Sequence, residues 1–158
     1  MVRVDARYVI PAPRELVYAW LSDPAKEAEY GWNLRDGANE VLERRPDGVR
    51  FRGGRDRTPA GRKPFWSTFE GSFDRANWRL HWRIVDGFEA GSDYVEELLP
   101  HADGTEIHVH GVVKLRNVDL DQQLMALVRP RQARAMIERN ICRDYKRLKE
   151  RLAPTMEA

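Results

Sequence analysis

A length of 158 residues, with 42% hydrophobic and 33% charged positions, supports one domain with a single well-buried core and leaves too little chain for a second. No stretch approaches the roughly 18 consecutive apolar residues of a membrane helix, and the N-terminus enters an alternating pattern without a signal-peptide apolar region, so the expected location is the cytoplasm. The net charge of +2 conceals heavy use of both signs. The one cysteine, Cys142, excludes an internal disulfide and has no cysteine or histidine at metal-ligand spacing on its own segment.

Residues 2–10 alternate, Val2, Val4, Ala6, Tyr8 and Ile10 against Arg3, Asp5 and Arg7, as a half-buried strand does. Pro11 and Pro13 end it, and Pro13 suits the first turn of a helix carrying Leu16, Val17, Ala19, Trp20 and Leu21. Ser22-Asp23-Pro24 stops that helix and starts another, over Ala25 to about Tyr30. Strands follow near 38–45, 48–54 and 65–73, the first two joined by a hairpin turn at Pro46-Asp47-Gly48. Gly53 to Lys63, rich in Gly, Pro and Arg, reads as a mobile loop. Three further strands are separated by turns near 74–77, 86–92 and 101–104.

The last stretch, Asp119 to Leu152, repeats apolar residues in steps of three and four: Leu120, Leu124, Leu127, Val128, Ile137, Ile141, Tyr145, Leu148 and Leu152. Pro130 splits it into a short helix near 119–128 and a main helix near 131–152. At 1.5 Å per residue the main helix is roughly 33 Å long. A helix of that length, apolar along one side, needs a sheet to lie on.

The turns predict the strand registers. A turn at Asp74 to Asn77 sets Phe69 beside Trp82 and Phe73 beside Trp78; one at His101 to Gly104 sets Leu98 beside Ile107; the Asp86 to Ser92 connection sets Trp82 beside Glu96. One face then holds Phe65, Phe69, Phe73, Trp78, Leu80, Trp82, Ile84, Tyr94, Glu96, Leu98, Ile107, Val109, Gly111, Val113 and Leu115, and the long helix must cover it. The other face holds Glu70, Arg79, His81, Arg83, Glu97, Glu106, His108 and Lys114, with Glu70, His81, Glu97 and His108 expected side by side as a solvated charge ladder. The expected architecture is α+β: a seven-stranded curved antiparallel sheet wrapped around a long C-terminal helix, with two short helices after the first strand.

That order, with the early Ile10-Pro-Ala-Pro-Arg-Glu-Leu-Val-Tyr-Ala-Trp-Leu-Ser-Asp-Pro24, the Trp78-Arg-Leu-His-Trp-Arg strand, Gly104-Thr105 opening the last strand and Arg143-Asp-Tyr-Lys-Arg-Leu-Lys149 near the end, resembles the START-like helix-grip superfamily (SRPBCC), and within it the polyketide cyclase/dehydrase and lipid-transport branch. The resemblance spans nearly the whole chain as one domain. It implies a sheet curved around the C-terminal helix and an internal cavity for an apolar ligand, and it carries over no residue-level motif for catalysis.

The residues themselves suit such a pocket. Trp78, Trp82, Phe65, Phe69 and Phe73 form an aromatic wall, which equally suits a solid core. Tyr94 and Glu96 fall inside it, and Asn140 borders the buried stripe of the helix. A carboxylate walled in by Trp82 and Leu98 is costly unless solvated, paired or protonated, and no inward Arg, Lys or His faces it. Two readings follow. Glu96 is an acid/base or hydrogen-bonding group of the pocket, with Tyr94 as its helper; or a bulge turns it outward, or a nearby Tyr, Trp or Asn ties it down. Trp20, Tyr30, Trp32, Phe69, Trp78, Trp82, Val109, Met136 and Asn140 make up the candidate ligand-binding set, with the entrance near Gly53 to Lys63, Ala25 to Trp32 and the Pro130 break.

No cofactor is expected, since Gly53-Gly54 lacks the strand-to-helix setting of a phosphate loop. His108 and His110 share a strand face, but without a third ligand set beyond His81 and Glu97 no metal is expected. A rival from another class rests on the basic residues Arg50, Arg52, Arg55, Arg57, Arg62 and Lys63 and on Arg129, Arg131, Arg134, Arg139, Arg143, Lys146, Arg147, Lys149 and Arg151 of the helix, a footprint for RNA, a ribosome, a chaperone or an anionic membrane. Aromatic residues do not interleave with those charges, which favours a solvated helix face over nucleic acid.

Overall fold

Val2, Val4, Ala6 and Ile10 are buried and Arg3, Asp5 and Arg7 exposed along β1 (Val2–Ile10), so the alternation does what its period dictates. The computed structural model describes residues 1–31, 39–55 and 65–157. Two short helices follow β1: α1 (Arg14–Leu21), entered through Pro13, and α2 (Pro24–Tyr30), where the Asp23 carboxylate accepts a hydrogen bond from the Ala25 N–H at 3.0 Å. Then come β2 (Glu40–Arg45), β3 (Gly48–Arg55), β4 (Phe65–Asp74), β5 (Arg79–Gly87), β6 (Asp93–His101) and β7 (Gly104–Val113), and finally α3 (Leu120–Val128) and α4 (Pro130–Glu157).

The strands form one antiparallel sheet in the order β1-β7-β6-β5-β4-β3-β2, so the first and last strands pair and every other neighbour is a hairpin. Leu80, Trp82, Ile84, Glu96, Leu98, Ile107, Val109 and Val113 are all buried on one face. The α+β architecture expected from the sequence is the one observed.

Two registers differ from expectation, each by two residues. Phe69 stands opposite Ile84 and Phe73 opposite Leu80, because Arg75 to Trp78 form a four-residue turn held by Asp74, whose carboxylate accepts from the Asn77 N–H at 3.2 Å and its side-chain amide at 2.7 Å. Trp78 is therefore in the turn, at φ 54°, and not in the strand. Trp82 stands opposite Tyr94, and Glu96 opposite Leu80, because the connection between β5 and β6 closes where the Ile84 N–H donates to Ser92 O at 3.0 Å and the Gly91 N–H donates to Ile84 O at 2.7 Å. Leu98 opposite Ile107 is as expected. A shift of two keeps every side chain on its face.

On the outer face the expected ladder is rearranged accordingly. Glu70 pairs with Arg83 at 2.6 Å and His81 with Asp93 at 2.6 Å, whereas Glu97 does oppose His108 and bonds His110 at 3.0 Å.

The helix stripe behaves differently along its length. Tyr145, Leu148 and Leu152 of α4 are buried against Ile10, Val17, Leu98 and Ile107 in the main core. Ile137 and Ile141 reach a smaller cluster of Val2, Val4 and Val113. The four apolar residues placed on the first helix are exposed: Leu120, Leu124, Leu127 and Val128 find no sheet, since α3 packs chiefly on α4. α4 also runs past Leu152 to Glu157, with Pro154 in its last turn.

Candidate functional site

Where α4 stands off from the sheet, a cavity of about 1150 Å³ remains. Phe51, Phe69, Trp82 and Ile84 of neighbouring strands wall one side, Tyr94, Val109 and Val113 continue it, and Met136, Ile137, Asn140, Ile141 and Tyr145 of α4 close the other. Phe51 and Phe69 stack with centroids 4.9 Å apart, and Trp82 meets Phe51 and Phe73 edge-on at 5.9 and 5.3 Å. Gly71 stands opposite Trp82, and a Cβ there would lie 2.7 Å from the indole, so the absent side chain makes room for the ring.

Glu96 lies at the centre, 6% exposed. The Trp82 Nε1–H donates to its Oε1 at 2.7 Å, and the Tyr145 hydroxyl donates to its Oε2 at 2.6 Å. No bulge turns the carboxyl outward: it lines the cavity, and it is tied to a Trp and a Tyr. Burial pushes its pKa up to about 7; the two hydrogen bonds pull the other way without prevailing, and the nearby charge of Glu27 adds to the rise. Burial, and then the charge of Glu96, hold the Tyr30, Tyr94 and Tyr145 hydroxyls well above the ordinary phenol range. The carboxyl titrates near neutrality while the phenols stay protonated donors.

Of the candidate ligand-binding residues, Tyr30, Phe69, Trp82, Val109, Met136 and Asn140 line the cavity, together with Tyr94 and Glu96. Trp20 and Trp78 lie elsewhere. Trp20 carries the Lys26 ammonium 4.6 Å from its ring centroid, and Trp78, displaced into the turn, meets Tyr18 edge-on at 5.8 Å under the Arg14 guanidinium. Trp32 and the loop residues Arg57, Arg62 and Lys63 lie outside the described residues. The cavity reaches Glu27, Tyr30 and Gly31 at the end of α2, as the expected entrance does, but its other rim is at Asp119 to Gln122, where α3 begins, and not at Pro130.

Two groups escaped the sequence reading. Tyr145 counted only as one more residue of the apolar stripe, although it carries the stripe's one hydroxyl. Glu89, in the β5–β6 connection, lines the cavity at φ 59°, and burial alone raises its carboxyl to about 7. Its backbone is held from both sides: the N–H donates to Arg116 O at 2.8 Å, and its carbonyl accepts from the Ser92 hydroxyl at 2.7 Å. Among the described residues no hydrogen bond reaches the Glu89 side chain or the hydroxyls of Tyr30 and Tyr94. Tyr30 is buried and Glu89 and Tyr94 are half-buried, so three polar groups of the wall lack a hydrogen-bond partner among the described residues.

On the outer face, potential ligand atoms of Glu97, His108 and His110 lie within 4.8 Å of one another, so Glu97 does supply the third group near the histidine pair. The Arg79 guanidinium stands 3.4 Å from Glu97, and the bond from His110 holds that carboxyl below its usual range. The cluster is a hydrogen-bonded ladder remote from the cavity.

No family model and no curated protein matches the chain. Solved structures do. A Thermus thermophilus protein, TTHA0849, is 22% identical over 97% of this chain and 98% of its own, with a TM-score of 0.76. The ZhuI aromatase/cyclase of Streptomyces sp. R1128 is 18% identical over 98% and 93%, with a TM-score of 0.62. The chain has the helix-grip fold. It also matches the di-domain ARO/CYC StfQ from the steffimycin biosynthetic pathway, at 12% identity over 99% of this chain and 52% of that one, with a TM-score of 0.73. Identities this low show the helix-grip fold alone. Among the described residues no helix is long and apolar enough to cross a membrane.

Proposed function

We infer that this protein binds a hydrophobic small molecule, a lipid, polyketide or other aromatic metabolite, in the cavity between sheet and α4, as a cytoplasmic helix-grip domain. The observation that carries the reading is an aromatic-walled space of about 1150 Å³ into which Glu89, Tyr30 and Tyr94 present polar groups that no described residue satisfies. A core packed for stability alone leaves neither such a volume nor such groups. Ligand pockets run to about 300–1,000 Å³, apolar with a few placed polar atoms, and this one lies just above that range.

Glu96 is the acid/base candidate. With a pKa of about 7 both protonation states are populated at neutral pH, which is what proton transfer requires. Trp82 and Tyr145 hold both oxygens in place, and Tyr94, which also lines the cavity, is its candidate helper. Cyclisation or dehydration of a bound ligand would use Glu96 as proton carrier, and one structural neighbour is named an aromatase/cyclase.

Native mass spectrometry of freshly purified protein, followed by extraction and identification of any co-purified molecule, tests the binding. We expect a bound lipid or aromatic metabolite that is lost both in Trp82→Ala and in Met136→Trp, which narrows the cavity without removing core packing. An apo mass together with no binding of hydrophobic fluorophores overturns the reading.

A further inference from the structure

We propose that the outer face of the sheet holds a divalent transition-metal site, with His108, His110 and Glu97 as ligands and Zn²⁺ as the cation that suits them. The site lies on the face away from the cavity and does not depend on what the cavity binds.

β7 supplies both nitrogens. Alternation along a strand brings residues i and i+2 to one face, and the His108 and His110 rings stand side by side with centroids 4.8 Å apart. Glu97 of β6 is opposite His108 in register, and its Oε1 is 3.0 Å from His110 Nε2. One potential ligand atom from each of the three lies within 4.8 Å of those of the other two. Ligands on a tetrahedral ion at about 2.0–2.1 Å stand about 3.4 Å from one another, so the most distant pair has to approach by about 1.5 Å or less. Side-chain torsions cover that distance, and the paired strands β6 and β7 already hold the three residues in place.

The hydrogen-bonded ladder and the metal site differ by the position of one proton. The bond between His110 and Glu97 needs that proton on Nε2; the other neutral tautomer carries it on Nδ1 and turns a lone pair toward the same carboxylate, where an ion takes the place of the shared hydrogen. Two imidazoles and one carboxylate suit Zn²⁺ and its neighbours in the transition series, whereas Mg²⁺ and Ca²⁺ take oxygen ligands. A second carboxylate borders the set: Asp5 of β1 is opposite His110 in register and 3.0 Å from His108 Nε2, and a carboxylate beside a metal-bound imidazole steadies the ring. The opposing charge is Arg79, 3.4 Å from Glu97 Oε1. Its side chain is exposed, so an incoming ion displaces it into water at little cost. Other charges of this face are matched, Arg7 with Glu106 at 2.9 Å and His81 with Asp93 at 2.6 Å.

The test is a calorimetric titration of Zn²⁺ into the intact protein, stripped with EDTA and dialysed into a non-chelating buffer at about pH 7.5. One Zn²⁺ per chain should bind with a Kd below about 10 µM, and excess Mg²⁺ should not compete. His108→Ala, His110→Ala and Glu97→Gln should each weaken binding at least about tenfold, and Arg79→Gln, which removes the opposing charge, should tighten it about threefold or more. His101→Ala and Cys142→Ser, the other metal-binding side chains outside this face, should leave it within about twofold. Because a variant can misfold, Co²⁺ bound to the unaltered protein gives a second readout: visible absorption of a Co²⁺–imidazole site that Zn²⁺ abolishes. Neither heat nor Co²⁺ absorption overturns the proposal. So does Zn²⁺ binding that survives unchanged in both folded histidine variants, which would make the ion adventitious.

Discussion

The two ends of the grip are built differently from the same helix. At one end Leu148 and Leu152 of α4 meet Ile10, Val17, Leu98 and Ile107, all essentially inaccessible, and Thr105 donates its hydroxyl to Ala12 O at 2.7 Å to seal the corner. At the other, Met136, Ile137 and Asn140 face open volume, Glu89 lines it without a hydrogen-bond partner among the described residues, and α3 leaves its leucines in solvent. The closed end supplies the packing and the open end carries polar groups left for a ligand to satisfy. Packing and open volume are thus separated along one helix, which lets a small domain keep a large cavity and still fold.

The widest contrast to expect is between truncations at the two ends. Leu148→Ala removes a fully buried side chain from a packed site and should cost about 2–5 kcal/mol in urea unfolding. Ile137→Ala, on a half-buried residue that already borders the cavity, should cost less than about half as much. Equal losses would show that the open end is packed in solution, and the comparison would fail.

A second contrast is in pH. Glu89 and Glu96 sit at about 7 in the folded protein against 4.5 for the ordinary side chain. The unfolded chain therefore gives up these protons first. Stability is full below about pH 4.5 and declines as pH rises to about 7, by something on the order of 3 kcal/mol for the buried Glu96 and by less for the half-buried Glu89. The double variant Glu89→Gln, Glu96→Gln should flatten that decline in thermal or urea melts across the window. A slope that survives the double substitution would mean that other groups carry it.

Much of this was legible in the sequence, and the reason is parity. Both misjudged hairpins slipped by two, so Trp82, Tyr94 and Glu96 kept their face, and an inward carboxylate could be read from alternation alone. What alternation could not show is a non-glycine residue at positive φ. Trp78 and Glu89 adopt it because surrounding hydrogen bonds impose it, and that moved one aromatic out of the expected wall and one carboxylate into it. Tyr145 was hidden for another reason: it meets Glu96 across 49 positions, and a period of 3.6 describes which side of a helix is buried without saying which strand lies beneath.

The smallest expected effect tests the same limit. Leu127 and Leu148 belong to one continuous stripe by spacing, yet Leu127 is 79% exposed and Leu148 0%. Leu127→Gln keeps helix propensity nearly constant and removes only apolar surface that already faces water. Its unfolding free energy should change by less than about 0.5 kcal/mol, at least about fourfold below the loss at Leu148. The periodic pattern is equally good at both positions, so any difference comes from whether a partner surface exists. If Leu127→Gln were as damaging as Leu148→Ala, α3 would have to be docked against an apolar surface in solution, the open end would be closed without ligand, and the unpartnered carboxylate at its rim would be part of a sealed core.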